Sequence, residues 1–204
     1  MTCPGSRPGS TACADLDAAL VVDVLGALTG AGVRCWVDGG WGVDALVGEA
    51  TRPHADLDLV VVREDRGAAE AALAPLGYAV VADEPPARVV LERPAGGTVD
   101  LHLVTLDDSG GALQALVDGS TFRYPPEALA GTGVIGGVAV PCLSAEGQVL
   151  THAGDEPDAG DRSDIALLRD RLGLPVPPPF GGAGTSVAAT VRRAGPADAL
   201  AAAV

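Results

Sequence analysis

Two aspartates stand two apart at the head of an apolar run, Asp56-Leu57-Asp58-Leu59-Val60-Val61-Val62. In an extended chain alternate side chains share a face, so both carboxylates would project to the same side of a strand. Burying two like charges together is costly unless a cation neutralises them, and the pair therefore suits a divalent metal. Two solvated acids at a strand end would give the same spacing, so the pair alone leaves both readings open. A third acid, Asp100, interrupts the run Thr98-Val99-Asp100-Leu101-His102-Leu103 where an apolar residue would be expected. If this strand lies beside the first, three carboxylates converge. Such a triad would hold two Mg²⁺ ions about 3.5–4 Å apart, one activating an attacking hydroxyl and one stabilising a leaving pyrophosphate oxygen. Asp100 could also take the proton of that hydroxyl, given hydrogen-bonding reach. Upstream, the glycines of Asp38-Gly39-Gly40-Trp41 permit close backbone approach to a phosphate, and the amides of a helix starting there can point at an anion.

These groups need elements to hold them. A helix is expected from about Asp15, with Leu16, Leu20, Val24 and Leu28 at helical spacing and Gly30 and Gly32 ending it. A short strand over 33–37 follows, then a short helix over 41–47. The strand over 57–62 is apolar on both faces, which places it centrally in a sheet. A helix over 64–76 leads to a strand over 78–82. The β-rich runs 88–92 and 98–105 flank Pro94-Ala95-Gly96-Gly97 and read as an antiparallel hairpin. A second hairpin surrounds Gly136-Gly137. Helices over 144–152 and 160–172 close the body, with Ser144 as a cap and Asp161 in the first turn of the last helix. The class is α/β (α+β) with a mixed sheet. Residues 1–14 read as a disordered leader, 15–174 as one domain, and 175–204 as a Pro/Gly/Ala-rich tail.

The composition narrows the partners. A chain of 204 residues with 48% hydrophobic and 20% charged residues can bury one core of ordinary size. Its 13 basic and 27 acidic residues give a net charge of -14, and Lys is absent, which argues against a nucleic-acid partner. The acidity could instead draw in a cationic small molecule, but a general solubility bias is the favoured reading. Cys3, Cys13, Cys35 and Cys142 have no zinc-ligand spacing and read as free thiols in a reducing cytoplasm. No signal peptide or membrane span is read in the chain. A monomer or weak homodimer is expected.

Three other signals are set aside. Gly131-Thr132-Gly133-Val134-Ile135-Gly136 matches GxGxxG but leads into a strand, whereas the dinucleotide fingerprint needs a helix there. A P-loop lacks its Lys. His54, His102 and His152 do not have zinc spacing; His102 shares a strand face with Asp100 and reads as support for it. Trp36 and Trp41 read as packing residues.

The stretch Gly39 to Val62, GGWGVDALVGEATRPHADLDLVVV, resembles the antibiotic nucleotidyltransferases of the aminoglycoside 2''-adenylyltransferase and lincosamide nucleotidyltransferase group. The resemblance also takes in Val99-Asp100-Leu101-His102, His152-Ala153-Gly154 and Asp161-Arg162-Ser163-Asp164, and covers roughly residues 16–174. It implies the nucleotidyltransferase fold, ATP or another nucleoside triphosphate as donor, and Mg²⁺ as cofactor. By motif position, Asp56 and Asp58 would bind metal and Asp100 would act as general base or further ligand. Gly39 and Gly40 would line the phosphate site, with Arg52 or His54 nearby, and Asp44 would orient the turn or face the acceptor. Two positions depart from the group: Asp155 stands where relatives usually carry an aromatic, and Gly160 where they often carry a basic residue. Arg162 could supply that charge or be a surface helix arginine. The expected activity is transfer of a nucleoside monophosphate to a hydroxyl of a small molecule, an aminoglycoside first and a lincosamide second. The alternatives are an inactive nucleotide-binding regulator of the same fold and an enzyme that nucleotidylates a protein.

Overall fold

The computed structural model describes residues 16–153, 157–175 and 180. The expected leader, Asp155 and nearly all of the expected tail lie outside the described residues.

The chain opens with α1, Ala18–Gly30, capped by Asp17, whose side chain accepts from the Leu20 amide at 2.8 Å. Val21, Val24, Leu25 and Leu28 form its buried stripe. β1, Cys35–Val37, leads through the Asp38 cap into α2, Gly39–Val47, and the chain returns as β2, Asp56–Val62. The next helical segment has α3, Arg66–Leu73, between single 3₁₀ turns at Arg63–Asp65 and Ala74–Leu76. β3, Ala79–Glu84, β4, Arg88–Glu92, and β5, Thr98–Leu106, then form a meander. The expected hairpin across residues 94–97 is present, and β3 runs two residues further than its sequence suggests.

A further hairpin, absent from the sequence reading, lies between the two expected ones: β6, Ala112–Ala115, pairs with the end of β5 and with β7, Thr121–Tyr124. The sequence of β6 has little β-branched character to mark it. β8, Gly131–Ile135, and β9, Val138–Cys142, form the hairpin around Gly136-Gly137. α4, Ala145–His152, is capped by Ser144, and α5, Ala159–Leu172, opens with a reciprocal capping box between Asp158 and Asp161.

The sheet runs β3-β4-β5-β2-β1-β9-β8, with the β2/β5 and β1/β9 pairs parallel and the others antiparallel. β2 is central, as its two apolar faces require. Period two divides its side chains: Leu57, Leu59 and Val61 join Leu101 and the α1 and α3 side chains in the main core, while Val60 joins Val104, Tyr124 and Leu143 in a smaller one. Asp56 and Asp58 share parity with Val60 and therefore open on the face of that smaller core. Trp36 and Trp41 both pack against core clusters. Phe180 packs with Leu174 against a third cluster of Val43, Val149, Ile165 and Leu168, which joins α2 to the two closing helices.

Candidate active site

The parallel register of β2 and β5 sets Asp58 directly opposite Asp100, which is the convergence that the paired runs allowed. His102 lies two residues on along the same face of β5, with its Nε2 3.4 Å from Asp58 Oδ1. One ligand atom from each of Asp58, Asp100 and His102 lies within 4.8 Å of the other two. Asp56 starts the strand at a solvent-exposed position beside this group.

Backbone geometry closes the site from the side of α2. The Asp38 amide donates to the Asp58 carbonyl at 2.9 Å, and Asp38 Oδ1 accepts from the Gly39 amide at 2.7 Å and from Thr151 Oγ1 at 3.0 Å. Gly39 has φ +61°, and a Cβ there would collide with the Asp58 carboxylate. Glycine is thus what lets the start of α2 lie against the acidic group. A Cβ on Gly40 would in turn run into the His54 ring and the Arg52 guanidinium.

The electrostatics are those of uncompensated acid. Desolvation first, and then Asp58 and Asp100, raise the Asp56 carboxyl to about 6. Desolvation likewise raises Asp100 and Asp38, partly offset by His102 in each case. Burial alone would lower His102, but its hydrogen bond to Asp58 and the charges of Asp58, Asp100 and Asp38 prevail and raise it to about 9. Asp100 Oδ1 is buried and has no hydrogen-bond partner among the described residues. Raised carboxyls at Asp56, Asp100 and Asp38, with a buried Asp100 oxygen unsatisfied among the described residues and Asp58 facing it, are surroundings that a divalent cation would fit.

Sequence reasoning missed four polar neighbours. Arg88 Nη1 reaches Asp100 Oδ2 at 2.7 Å. Gln114 Nε2 lies 3.4 Å from His102 Nδ1 and donates to the Ala87 carbonyl at 3.2 Å, while Tyr124 donates to Gln114 Oε1 at 3.0 Å. Thr151 holds Asp38. Arg88 had a signal in the hairpin register, which pairs Val90 with Asp100, so Arg88, two residues earlier, falls on the same face and on the diagonal. Gln114 and Tyr124 come from the unforeseen hairpin. With Asp38, Arg88, His102, Leu116, Val117 and Phe122 they line a pocket of about 450 Å³ beside the acids.

The segment 51–54 has a different geometry. Asp44 and His54 are both buried; Asp44 Oδ2 meets His54 Nε2 at 2.6 Å and accepts the Thr51 amide at 3.2 Å. The His54 ring also lies 5.0 Å from that of Trp41. Arg52 makes a bidentate pair with Asp164 of α5, at 3.0 Å through Nε and 2.6 Å through Nη2. Asp44 is therefore held by both Thr51 and His54, and Arg52 ties the segment to the closing helices.

The aminoglycoside-2''-adenylyltransferase family model matches residues 20–168. The chain belongs to that family. A lincosamide resistance protein of Staphylococcus haemolyticus is 31% identical over 137 residues, 67% of this chain and 84% of that protein. A 2''-aminoglycoside nucleotidyltransferase of Escherichia coli is 39% identical over 62 residues, 30% of this chain and 35% of that one. Among solved structures, the lincosamide antibiotic adenylyltransferase LnuA with lincomycin bound has a TM-score of 0.68 at 28% identity, over 76% of this chain and 98% of that one. ANT(2'')-Ia in complex with adenylyl-2''-tobramycin has a TM-score of 0.61 at 25% identity, over 76% and 89%. These relatives are nucleotidyltransferases acting on antibiotics, and the chain is a nucleotidyltransferase.

The pieces of the family resemblance that lie far apart in sequence meet in space. Asp164, on which Arg52 is clamped, lies 3.7 Å from His152 Nε2. His152 Nδ1 is 2.7 Å from the Gln148 carbonyl. Gly160 faces this group: a Cβ there would stand 3.6 Å from the Arg52 guanidinium. Arg162 bonds the Pro157 carbonyl at 3.1 Å.

Proposed function

We propose that this family member transfers a nucleoside monophosphate from ATP, or another nucleoside triphosphate, to a hydroxyl of a small-molecule antibiotic, with Mg²⁺ as cofactor. The observation that carries this is the facing of Asp58 and Asp100 across parallel strands, with one Asp100 oxygen buried and unpartnered among the described residues and with their neighbours Arg88 and His102 lining a pocket. Asp56 and Asp58 would hold metal, and Asp100 would be a further ligand or the base. When bound, Mg²⁺ would neutralise the carboxylates and stabilise charge on the phosphoryl and leaving pyrophosphate oxygens. The acceptor oxygen forms a bond to the α-phosphorus, the bond from that phosphorus to the bridging oxygen breaks, and pyrophosphate leaves. In the role of base, Asp100 would receive the hydroxyl proton. Gly39 and Gly40 would line the phosphate site at the start of α2, where the Gly39 amide is capped by Asp38 Oδ1 and the Gly40 amide, which has no helical acceptor, would suit a phosphate. Arg52, His54 and Asp44 support that helix start through the contacts they make with each other, with α5 and with Gly40.

Two acceptor classes compete for the pocket. Its hairpin wall is apolar at Leu116, Val117 and Phe122, whereas Asp38, Glu84 and Asp118 bring acid to it. An acceptor with one cationic group and an apolar part, such as a lincosamide, uses both, and the longer of the two sequence matches is to a lincosamide resistance protein. A polycationic aminoglycoside, the first expectation from charge, would use the acids alone. Pyrophosphate release by the purified protein with Mg²⁺, each nucleoside triphosphate and a panel of both classes tests the reading. Lincosamide-dependent release is expected. Release with aminoglycosides alone would overturn the choice of acceptor, and nucleotide binding without release across the panel would overturn antibiotic transfer and favour a protein acceptor or a regulator.

A further inference from the structure

We propose that Arg88 is the positioning residue for Asp100: anchored on Glu84, its guanidinium occupies Asp100 Oδ2 and leaves Oδ1 as the oxygen for the reaction. This rests on the reading of Asp100 as base or ligand. Arg88 Nη1 contacts Asp100 Oδ2 at 2.7 Å, and its other side grips Glu84, at 2.9 Å through Nε and 3.3 Å through Nη2. Oδ1 is left buried without a partner among the described residues. A carboxylate with neither oxygen held can turn about its broad terminal torsion. Held by a planar donor that is itself braced, it keeps one orientation.

The Glu84 contact alone would be an exposed ion pair of little consequence, since both side chains are about two-fifths exposed. What distinguishes Arg88 is that the same guanidinium reaches inward to a carboxylate only 11% exposed. Both sides of its fork are committed to carboxylates, which argues against a primary role as a phosphate contact. Arg88 and Glu84 also line the acceptor pocket, so the brace sits where the attacking hydroxyl would arrive.

The test compares Arg88→Ala, Arg88→Lys, Glu84→Gln and Asp100→Asn in the full chain, reading kcat by pyrophosphate release and Kd for a non-hydrolysable nucleoside triphosphate by calorimetry. Arg88→Ala is expected to lose on the order of a hundredfold in kcat with unchanged nucleotide Kd, the scale of a misplaced reacting group. Arg88→Lys should fall between, because a point charge replaces a fork, and Glu84→Gln should lose less than Arg88→Ala. Guanidinium ion at sub-denaturing concentration should recover part of the loss in Arg88→Ala and none in Asp100→Asn. Preserved kcat in Arg88→Ala, weakened nucleotide binding at constant kcat, or no recovery by guanidinium would overturn the proposal. Thermal unfolding of Arg88→Ala, Asp100→Asn and the double variant should be non-additive, and additive shifts would overturn the pairing. That cycle reads out even if the wild type turns over no acceptor, an outcome that would sink the transfer reading and leave the pairing to be judged separately.

Discussion

At the scale of single residues, the site is a set of carboxylates that outnumber the cations held beside them. Asp56, Asp58, Asp100 and Asp38 stand near one another with His102 and Arg88 as the cations beside them, and desolvation raises Asp56, Asp100 and Asp38. Removing one charge should therefore harm function and not the fold. Asp58→Asn and Asp56→Asn are each expected to lower turnover by about a thousandfold or more, the loss of several kcal/mol of charge stabilisation. The melting temperature of Asp56→Asn should hold or rise, because a like-charge repulsion is relieved, whereas in Asp58→Asn that relief is offset by the lost contact with His102. Pyrophosphate release and thermal melting on the same samples check this, and near-wild-type activity in either variant would remove the metal-binding role. Asp56, Asp58 and Asp100 were legible as candidates because acids stand out in apolar strand sequence. Gln114 and Thr151 were not, since a neutral polar residue carries no sign in sequence of what it will face.

At the scale of elements, the decisive contact is between the start of α2 and the second aspartate of β2. Gly39→Ala would place a methyl group against the Asp58 carboxylate and would also oppose a positive φ. The backbone term alone is about 1–2 kcal/mol, so stability should fall by at least this much and turnover should be lost. Gly48, the α2 C-cap, is the matched control: its φ is +78°, and nothing lies within 4 Å of an added Cβ. Gly48→Ala should show the stability loss and keep turnover. Equal activity in the two variants would show that the close approach at Gly39 is irrelevant to function. The Gly-Gly turn, its strand and its helix were readable from local pattern. The β6–β7 hairpin, which supplies Gln114, Tyr124 and much of the pocket wall, was not, because Ala-Leu-Gln-Ala has no strand preference of its own and gains its form by pairing with β5. The turn residues Asp118-Gly119-Ser120 were its one available signal.

At the scale of the whole molecule, the closing helices are joined to the site by the Arg52, Asp164, His152 and Thr151 contacts. His152 is raised above its ordinary 6.5, since Asp164, Asp38 and the Gln148 carbonyl outweigh the desolvation that would lower it. A raised histidine stabilises the fold fully below its unfolded value, and the contribution is lost as pH rises through the folded value. Asp164 is lowered: desolvation would raise it, but His152 and Arg52 prevail. Its contribution is present above the ordinary carboxyl value and disappears only in acid, as pH falls through the folded value. The melting temperature should accordingly decline from about pH 6.5 upward, and Asp164→Asn should lessen that decline by removing a main cause of the His152 shift. His102 would contribute a similar decline in both proteins, so the difference between them is the quantity to measure. Parallel curves for wild type and variant would show that His152 is not coupled to Asp164.

What the sequence determined by itself was local or periodic: which residues alternate to share a strand face, where helices are capped, and, through the order of motifs from Gly39 to Asp164, the family. A strand's period and a cap's geometry depend on neighbours a few residues away, so they can be read along the chain. Tertiary structure alone decided that Asp58 faces Asp100 across a parallel pair, that Arg52 closes on Asp164 over 112 positions, and that a weakly marked hairpin walls the pocket. Those outcomes depend on how strands pair and which faces must be buried together. Such pairings are set by packing of the whole chain, and no short window of residues contains both partners.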